Sequence, residues 1–132
     1  MTIIDPIQVG FWRTEGRAAG PHFENAGLFG KILANVVQVA LESHLPSVQD
    51  HIDSKWSPKE RALVIRYVSD PRFRRESYRG WSTCRICGKE NGSADFSDGL
   101  YVWPEGFAHY LSEHAVRPPA TFVLHALGMV KR

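Results

Sequence analysis

The feature that most constrains the fold of this chain is a pair of cysteines followed, later in the sequence, by a pair of histidines. Cys84 and Cys87 are its two cysteines, and twenty-one residues separate Cys87 from His109, with His114 a little farther on. Two thiolates and two imidazoles are the donor set of a tetrahedral structural zinc site, whose bonds of about 2.0–2.3 Å bring four side chains to one point. The spacing therefore predicts a Zn site with the ligands Cys84, Cys87, His109 and His114.

The residues that follow the cysteines predict a tight turn and then a β-hairpin. Gly88 comes directly after Cys87 and lets the backbone turn sharply. Two dipeptides typical of tight turns lie farther along the chain, Asn91-Gly92 and Asp98-Gly99. On the two sides of the second dipeptide, residues 94–97 and 100–103 are expected to pair as strands.

A helix that carries both histidines is expected after the hairpin. Pro104 suits the first turn of that helix, where the missing N–H of proline costs nothing. Its helical periodicity is carried by Phe107, Tyr110, Leu111 and His114. Positions five residues apart lie about 140° apart on an ideal helix, so we expect the helix to loosen near Glu113. The order of turn, hairpin and helix is that of a ββα finger, with a gap longer than the roughly twelve residues of the classical type.

The same residues leave alternatives open. A redox-active cysteine pair is typical of a thioredoxin-like βαβ context, which the sequence lacks, and a disulfide suits an oxidising compartment. His125 or Asp98 could replace one of the four ligands. The stretch from His109 to His114 is one residue longer than the H-x-x-E-H signature of zinc peptidases, and the motif order of zinc deaminases is reversed. Because four protein ligands leave no open position for substrate, structural zinc is expected rather than catalytic zinc.

The composition is that of a soluble globular domain. A length of 132 residues, 43% hydrophobic residues and 23% charged residues are sufficient for one core. No apolar run reaches the roughly eighteen residues of a membrane span, so no membrane partner is expected. The first six residues lack a basic segment followed by an apolar one, so we expect no signal peptide and a cytoplasmic protein.

We expect a single domain with two parts and the fold class α+β. Residues 1–70 are expected to be mainly helical, and residues 71–132 to form the zinc-binding part. Residues 28–45 carry a broad apolar stripe that predicts a core helix. The helical amino-terminal part is expected to pack on the cysteine turn, the hairpin and the histidine helix, which the zinc ion would hold together.

Helix-start signals and buried aromatic residues complete the expected elements. Ser57 and Pro58 predict the start of a helix, with Glu60 completing a capping box. A final short helix is expected over residues 120–127, ended by Gly128. Near the amino terminus, Phe11 and Trp12 are expected to be buried.

A basic and aromatic stretch precedes the cysteines. Its arginines alternate with aromatic residues: Arg72, Phe73, Arg74, Arg75, Tyr78, Arg79 and Trp81. Such a segment can bind single-stranded nucleic acid, although a solvated basic face over buried aromatics is more usual. The predicted histidine helix offers only Glu105 and Glu113 as charged residues, which are poorly suited to phosphate.

The carboxy-terminal half carries a series of motifs. They are Tyr78-Arg79-Gly80-Trp81-Ser82-Thr83-Cys84-Arg85-Ile86-Cys87-Gly88, Asn91-Gly92-Ser93, Asp98-Gly99, Trp103-Pro104-Glu105-Gly106, His109-Tyr110, His114, Pro118-Pro119 and Phe122. In these motifs the chain resembles a group of small bacterial proteins of unknown function, over roughly residues 58–126. Small stand-alone bacterial proteins of this kind are often toxin-neutralising immunity proteins or regulators. The resemblance therefore implies a protein partner, such as a toxin.

The leading expectation is a non-enzymatic protein-interaction module with structural zinc, such as a bacterial toxin-neutralising immunity protein or a regulator. Its support is the closed donor set, a net charge of only +2 and the lack of a recognisable nucleophile with its base. A nucleic-acid-binding zinc-finger protein is the first alternative. A zinc-dependent enzyme is the second, and it requires an open coordination position.

Overall fold

The structure, a computed structural model, describes residues 6–13 and 44–130 and omits the side chains of residues 78–80. In these residues the chain forms an α+β fold with one mixed sheet and three α-helices, which is the fold class expected from the sequence. The helix predicted over residues 28–45 lies almost entirely outside the described residues, so it stays a prediction.

The described strands are β1 (Ile7–Gln8), β2 (Arg74–Thr83), β3 (Glu90–Ser97) and β4 (Tyr101–Pro104). Their order across the sheet is β1-β4-β3-β2, with β1 parallel to β4 and the other neighbours antiparallel. The hairpin predicted around Asp98-Gly99 is confirmed as β3 and β4. Burial alternates along β3, so one face of the sheet is covered by the core.

The described helices are α1 (Pro58–Val68), α2 (Phe107–His114) and α3 (Ala120–Val130). Helix α1 packs against both α2 and α3. Two short 3-10 helices, Val48–His51 and Pro71–Phe73, precede α1 and β2 respectively. In the part of the chain that the structure describes, no helix has the length and apolarity to cross a lipid bilayer.

The core between the helices and the sheet is centred on Trp103. This side chain is fully buried, and the rings of Tyr67, Phe73 and Phe122 surround it with centroid distances of 5.7–5.9 Å. Its indole N–H donates to the Val68 carbonyl at 3.1 Å, which satisfies the buried donor. One tryptophan therefore links β4, the end of α1 and α3.

The start of α1 follows the predicted signals only in part. Ser57 Oγ accepts a hydrogen bond from the Glu60 N–H at 3.3 Å, as expected of a helix cap. The Glu60 carboxylate does not complete the capping box, because it accepts a hydrogen bond from the indole N–H of Trp56 at 2.8 Å. Trp56 is buried, so its donor needs this partner.

Two element boundaries differ from the sequence prediction. Pro104 ends β4 instead of opening the helix, and α2 begins at Phe107. Helix α3 continues through Gly128 to Val130, because an internal glycine costs a helix only about 1 kcal/mol. The expected final helix is otherwise confirmed.

Strand β2 is the largest element that the sequence did not predict. The stretch after Asp70-Pro71 forms a 3-10 turn and then ten residues of strand paired with β3. The cysteine turn therefore joins two paired strands instead of preceding the first one. Trp12 is buried as expected, whereas Phe11 is only half-buried. Residues 7–8 add a strand to the sheet from the part expected to be mainly helical.

The Asn91-Gly92 motif near the start of β3 packs against the Glu105-Gly106 motif that precedes α2. The predicted turn at Asn91-Gly92 is wrong, since both residues lie within β3 and Asn91 is the extra residue of a bulge. A Cβ atom on Gly106 would lie 2.4 Å from Asn91 Cγ. Glu105 Oε1 accepts a hydrogen bond from the Ser93 N–H at 2.8 Å. Tertiary contacts with the start of α2 therefore set the conformation of Asn91-Gly92.

We expect Gly106→Ala to lower the free energy of unfolding by about 1–3 kcal/mol, because the added methyl group overpacks this contact. Gly128→Ala is the matched control: its Cβ would have no heavy atom within 4 Å, and alanine favours helix by up to about 1 kcal/mol. Urea denaturation of both variants measures the difference. Equal and small effects would contradict the close approach at Gly106.

Candidate metal centre

The two cysteines lie in a hydrogen-bonded turn between β2 and β3. The Cys84 N–H donates to the Lys89 carbonyl at 2.8 Å, and the Gly88 N–H donates to the Cys84 carbonyl at 2.9 Å. Gly88 has a φ of +76°, a conformation that side chains rarely adopt. The N–H groups of Ile86 and Cys87 lie 3.4 and 3.5 Å from Cys84 Sγ. The turn thus wraps the backbone around the buried sulfur.

Helix α2 brings the two imidazoles to this turn. His109 lies in the helix, and His114 is its last residue. The helix does not loosen near Glu113 as expected: it ends at His114, and Ala115 takes a left-handed conformation with φ of 51°. The rings of His109 and His114 nevertheless lie with their centroids 5.1 Å apart, so a five-residue gap still brings the two imidazoles together.

The four predicted ligands come together in the structure. Their donor atoms, one from each of Cys84, Cys87, His109 and His114, all lie within 4.8 Å of one another. Within this cluster, Cys87 Sγ and His109 Nε2 lie 3.4 Å apart. A tetrahedral zinc ion would hold such atoms about 3.3–3.8 Å apart, given its bond lengths. The set therefore fits a metal ion after shifts of about 1 Å or less.

The protonation chemistry of the cluster also fits a metal ion. Burial, followed by the neighbouring His114, lowers the pKa of His109 and favours the neutral, metal-binding imidazole. His114 Nε2 is buried and has no hydrogen-bond partner, which is costly for a polar atom. Burial raises the pKa of the Cys84 thiol. A divalent cation would reverse that preference, because a coordinating thiol is deprotonated.

Tyr110 supports the backbone next to the buried cysteine, a role that no motif or spacing in the sequence indicates. Its hydroxyl accepts a hydrogen bond from the Arg85 N–H at 2.6 Å, which holds the backbone directly after Cys84. Burial raises the pKa of Tyr110 far above its usual value, so the hydroxyl stays protonated. Such outer contacts orient ligands and tune a metal site.

The two alternative ligands, Asp98 and His125, are bound to each other. Asp98 Oδ2 lies 2.7 Å from His125 Nε2 and accepts a hydrogen bond from the Tyr67 hydroxyl at 2.5 Å. Asp98 Oδ1 accepts hydrogen bonds from the N–H groups of Leu100 and Tyr101. These contacts fix the β3–β4 turn between α1 and α3, and neither residue belongs to the four-donor cluster.

Two arginines and one aromatic residue of the basic stretch are engaged within the protein. Arg72 pairs with Asp70 at 3.0 Å, and Arg74 pairs with Glu105 at 3.1 Å. Phe73 is packed in the core, so its ring is not available to stack on a base, whereas Trp81 is 53% exposed. Ion pairs within the protein reduce the charge that these arginines can offer to phosphate.

Comparison of the chain with models of protein families, with curated proteins and with solved structures finds no match.

Proposed function

We propose that this protein is a non-enzymatic protein-interaction module whose fold is held by a structural zinc ion. The observation that carries the proposal is the convergence of four donor atoms from Cys84, Cys87, His109 and His114 within 4.8 Å. Two cysteines and two histidines suit zinc and complete its tetrahedral shell. When bound, the ion supplies cross-linking between the β2–β3 turn and the end of α2, and it has no position left for a substrate.

The support for a protein partner comes from the surface of α3. Its eleven residues include no Asp, Glu, Lys or Arg, although several of them face solvent. Leu124 is 71% exposed, and Met129 and the nearby turn residue Leu100 are also exposed. An uncharged surface with large apolar side chains is suited to contact with a complementary apolar protein surface. Neutralisation of a bacterial toxin or regulation of another cytoplasmic protein is the proposed role of that contact.

We expect Leu124→Asp to weaken binding to this partner at least tenfold, because it places a charge in an apolar interface. The partner is first captured from lysate of the source cell with the tagged zinc-loaded protein, then purified, and its affinity is measured by calorimetry. Ala62→Asp introduces the same charge at an exposed position of α1 and should bind as the wild type does. If the partner is a toxin, co-expression of the wild type should restore growth of toxin-producing cells.

Two outcomes would contradict the proposal. One is the repeated failure of capture to yield any stoichiometric partner. The other is equal affinity of Leu124→Asp and Ala62→Asp for the purified partner, which would exclude the α3 surface from the contact.

A further inference from the structure

We propose that Cys87 is an oxidation site through which peroxide opens the metal centre. The inference rests on the proposed zinc site and adds a means of regulating it. Cys84 is 3% exposed, whereas Cys87 is exposed at the surface. Cys87 lines a surface depression of about 350 Å³, and the other residues that line it are Lys89, His109, Glu113 and His114. An oxidant of the size of hydrogen peroxide thus reaches one sulfur of the site and not the other.

The hydrogen bonds around the two sulfurs reinforce this difference. Cys84 Sγ is approached by the backbone N–H groups of Ile86 and Cys87. Donors of this kind stabilise negative charge on sulfur and lower its nucleophilicity. The measured contact of Cys87 Sγ is with His109 Nε2, which would itself face the metal. The Cys87 sulfur is therefore the stronger nucleophile of the two.

The reaction uses both cysteines and one molecule of hydrogen peroxide. The Cys87 thiolate attacks a peroxide oxygen, the O–O bond breaks, and hydroxide leaves as Cys87 becomes a sulfenic acid. The Cys84 thiolate, with its sulfur within 4.8 Å, then attacks the Cys87 sulfur, the S–O bond breaks, and a second hydroxide leaves. The two sulfurs lose two electrons to peroxide and form a disulfide. Two protons from solvent convert the hydroxides to water.

The disulfide no longer supplies thiolate ligands to the centre. Only His109 and His114 then remain as donors, and two imidazoles hold zinc far less tightly than the full set. The β2–β3 turn is thereby released from the end of α2. Thiol reductant and added zinc should restore the original state, because disulfide formation is reversible.

The test starts from zinc-loaded wild-type protein whose metal content is measured by mass spectrometry. Hydrogen peroxide is added in steps, released zinc is measured with a chromogenic chelator, and the cysteines are mapped by mass spectrometry. We expect one zinc released for each disulfide formed between Cys84 and Cys87. A brief treatment with iodoacetamide in a separate sample should label Cys87 at least tenfold more than Cys84.

One variant sharpens the test. Cys87→His keeps four donors but has no partner for a disulfide, so it should retain its zinc at the same peroxide concentration. The mapping of the wild-type protein remains decisive if this variant fails to fold.

The outcomes separate this inference from the proposed function. A purified chain that binds no zinc overturns both. A zinc-loaded chain that keeps its metal and both thiols under peroxide overturns the oxidation site alone. Labelling of Cys84 as fast as Cys87 overturns the assignment of Cys87 as the site of attack.

Discussion

His109→Ala is expected to unfold the carboxy-terminal part of the protein, and removal of the metal by a strong chelator should have the same effect. The binding free energy of a structural zinc ion is part of the folding free energy and is on the order of 10 kcal/mol in finger peptides. Small proteins are stable by only about 5–15 kcal/mol. Loss of one ligand from the four-donor cluster therefore removes a large fraction of the total stability.

The measurement is metal content by mass spectrometry, followed by thermal melting monitored by circular dichroism with and without chelator. His44→Ala is the matched control, because His44 is an exposed histidine outside the cluster. It should retain one zinc per chain and the melting temperature of the wild type. If the metal-free wild-type protein melted cooperatively at the same temperature as the zinc-loaded protein, this result would contradict a structural role of the metal.

Local signals were sufficient to predict the hairpin of β3 and β4 and the helix that carries the two histidines. The hairpin around Asp98-Gly99 and the helix that carries His109 each depend on residues close together in sequence, and both are present in the structure. The four donors could be identified from spacing, because a metal requires defined residue types and a tight cysteine turn. The four donors could therefore be grouped without knowledge of the fold of the residues that lie between them in the sequence.

The elements that escaped prediction depend on contacts between distant residues. Strand β2 has no clear alternation of apolar residues and is held by its pairing with β3. The Asn91-Gly92 dipeptide favours a turn locally, but its packing against Gly106 places it in a strand. The hydroxyl of Tyr110 reaches the backbone of Arg85, twenty-five residues away. No periodicity or spacing rule reports contacts of this kind.

Asp98→Ala is expected to lower the free energy of unfolding by about 3–5 kcal/mol, the usual cost of removing one partner from a buried charged network. The side chain is only 4% exposed, and its two oxygens accept four hydrogen bonds. Without the carboxylate, the Tyr67 hydroxyl and His125 lose a hydrogen-bond partner in the protein interior. The N–H groups of Leu100 and Tyr101 lose their acceptor in the turn. The β3–β4 turn would also lose its link to α1 and α3.

The acid dependence of stability provides a second readout of the same network. Burial acts to raise the pKa of Asp98, but hydrogen bonds, first from the Tyr101 N–H and then from Tyr67 and His125, outweigh it and hold the pKa below its usual value. A carboxylate with a depressed folded-state pKa stabilises the protein above its unfolded pKa of about 3.9, and this contribution is lost as the pH falls through the folded pKa. The difference between wild type and Asp98→Ala should therefore shrink as the pH falls below about 4.

Urea denaturation at a series of pH values measures this difference, with three variants compared. Asp98→Asn keeps the side-chain size and one acceptor oxygen for the turn N–H groups. Its free energy of unfolding should therefore lie between those of wild type and Asp98→Ala. Asp50→Ala removes an exposed carboxylate and should change the free energy of unfolding by no more than about 0.5 kcal/mol. Loss of the metal in acid affects the wild type and its variants alike, so their difference isolates Asp98. A difference between wild type and Asp98→Ala that stays the same from neutral to acid pH would show that packing, and not the carboxylate charge, holds this turn.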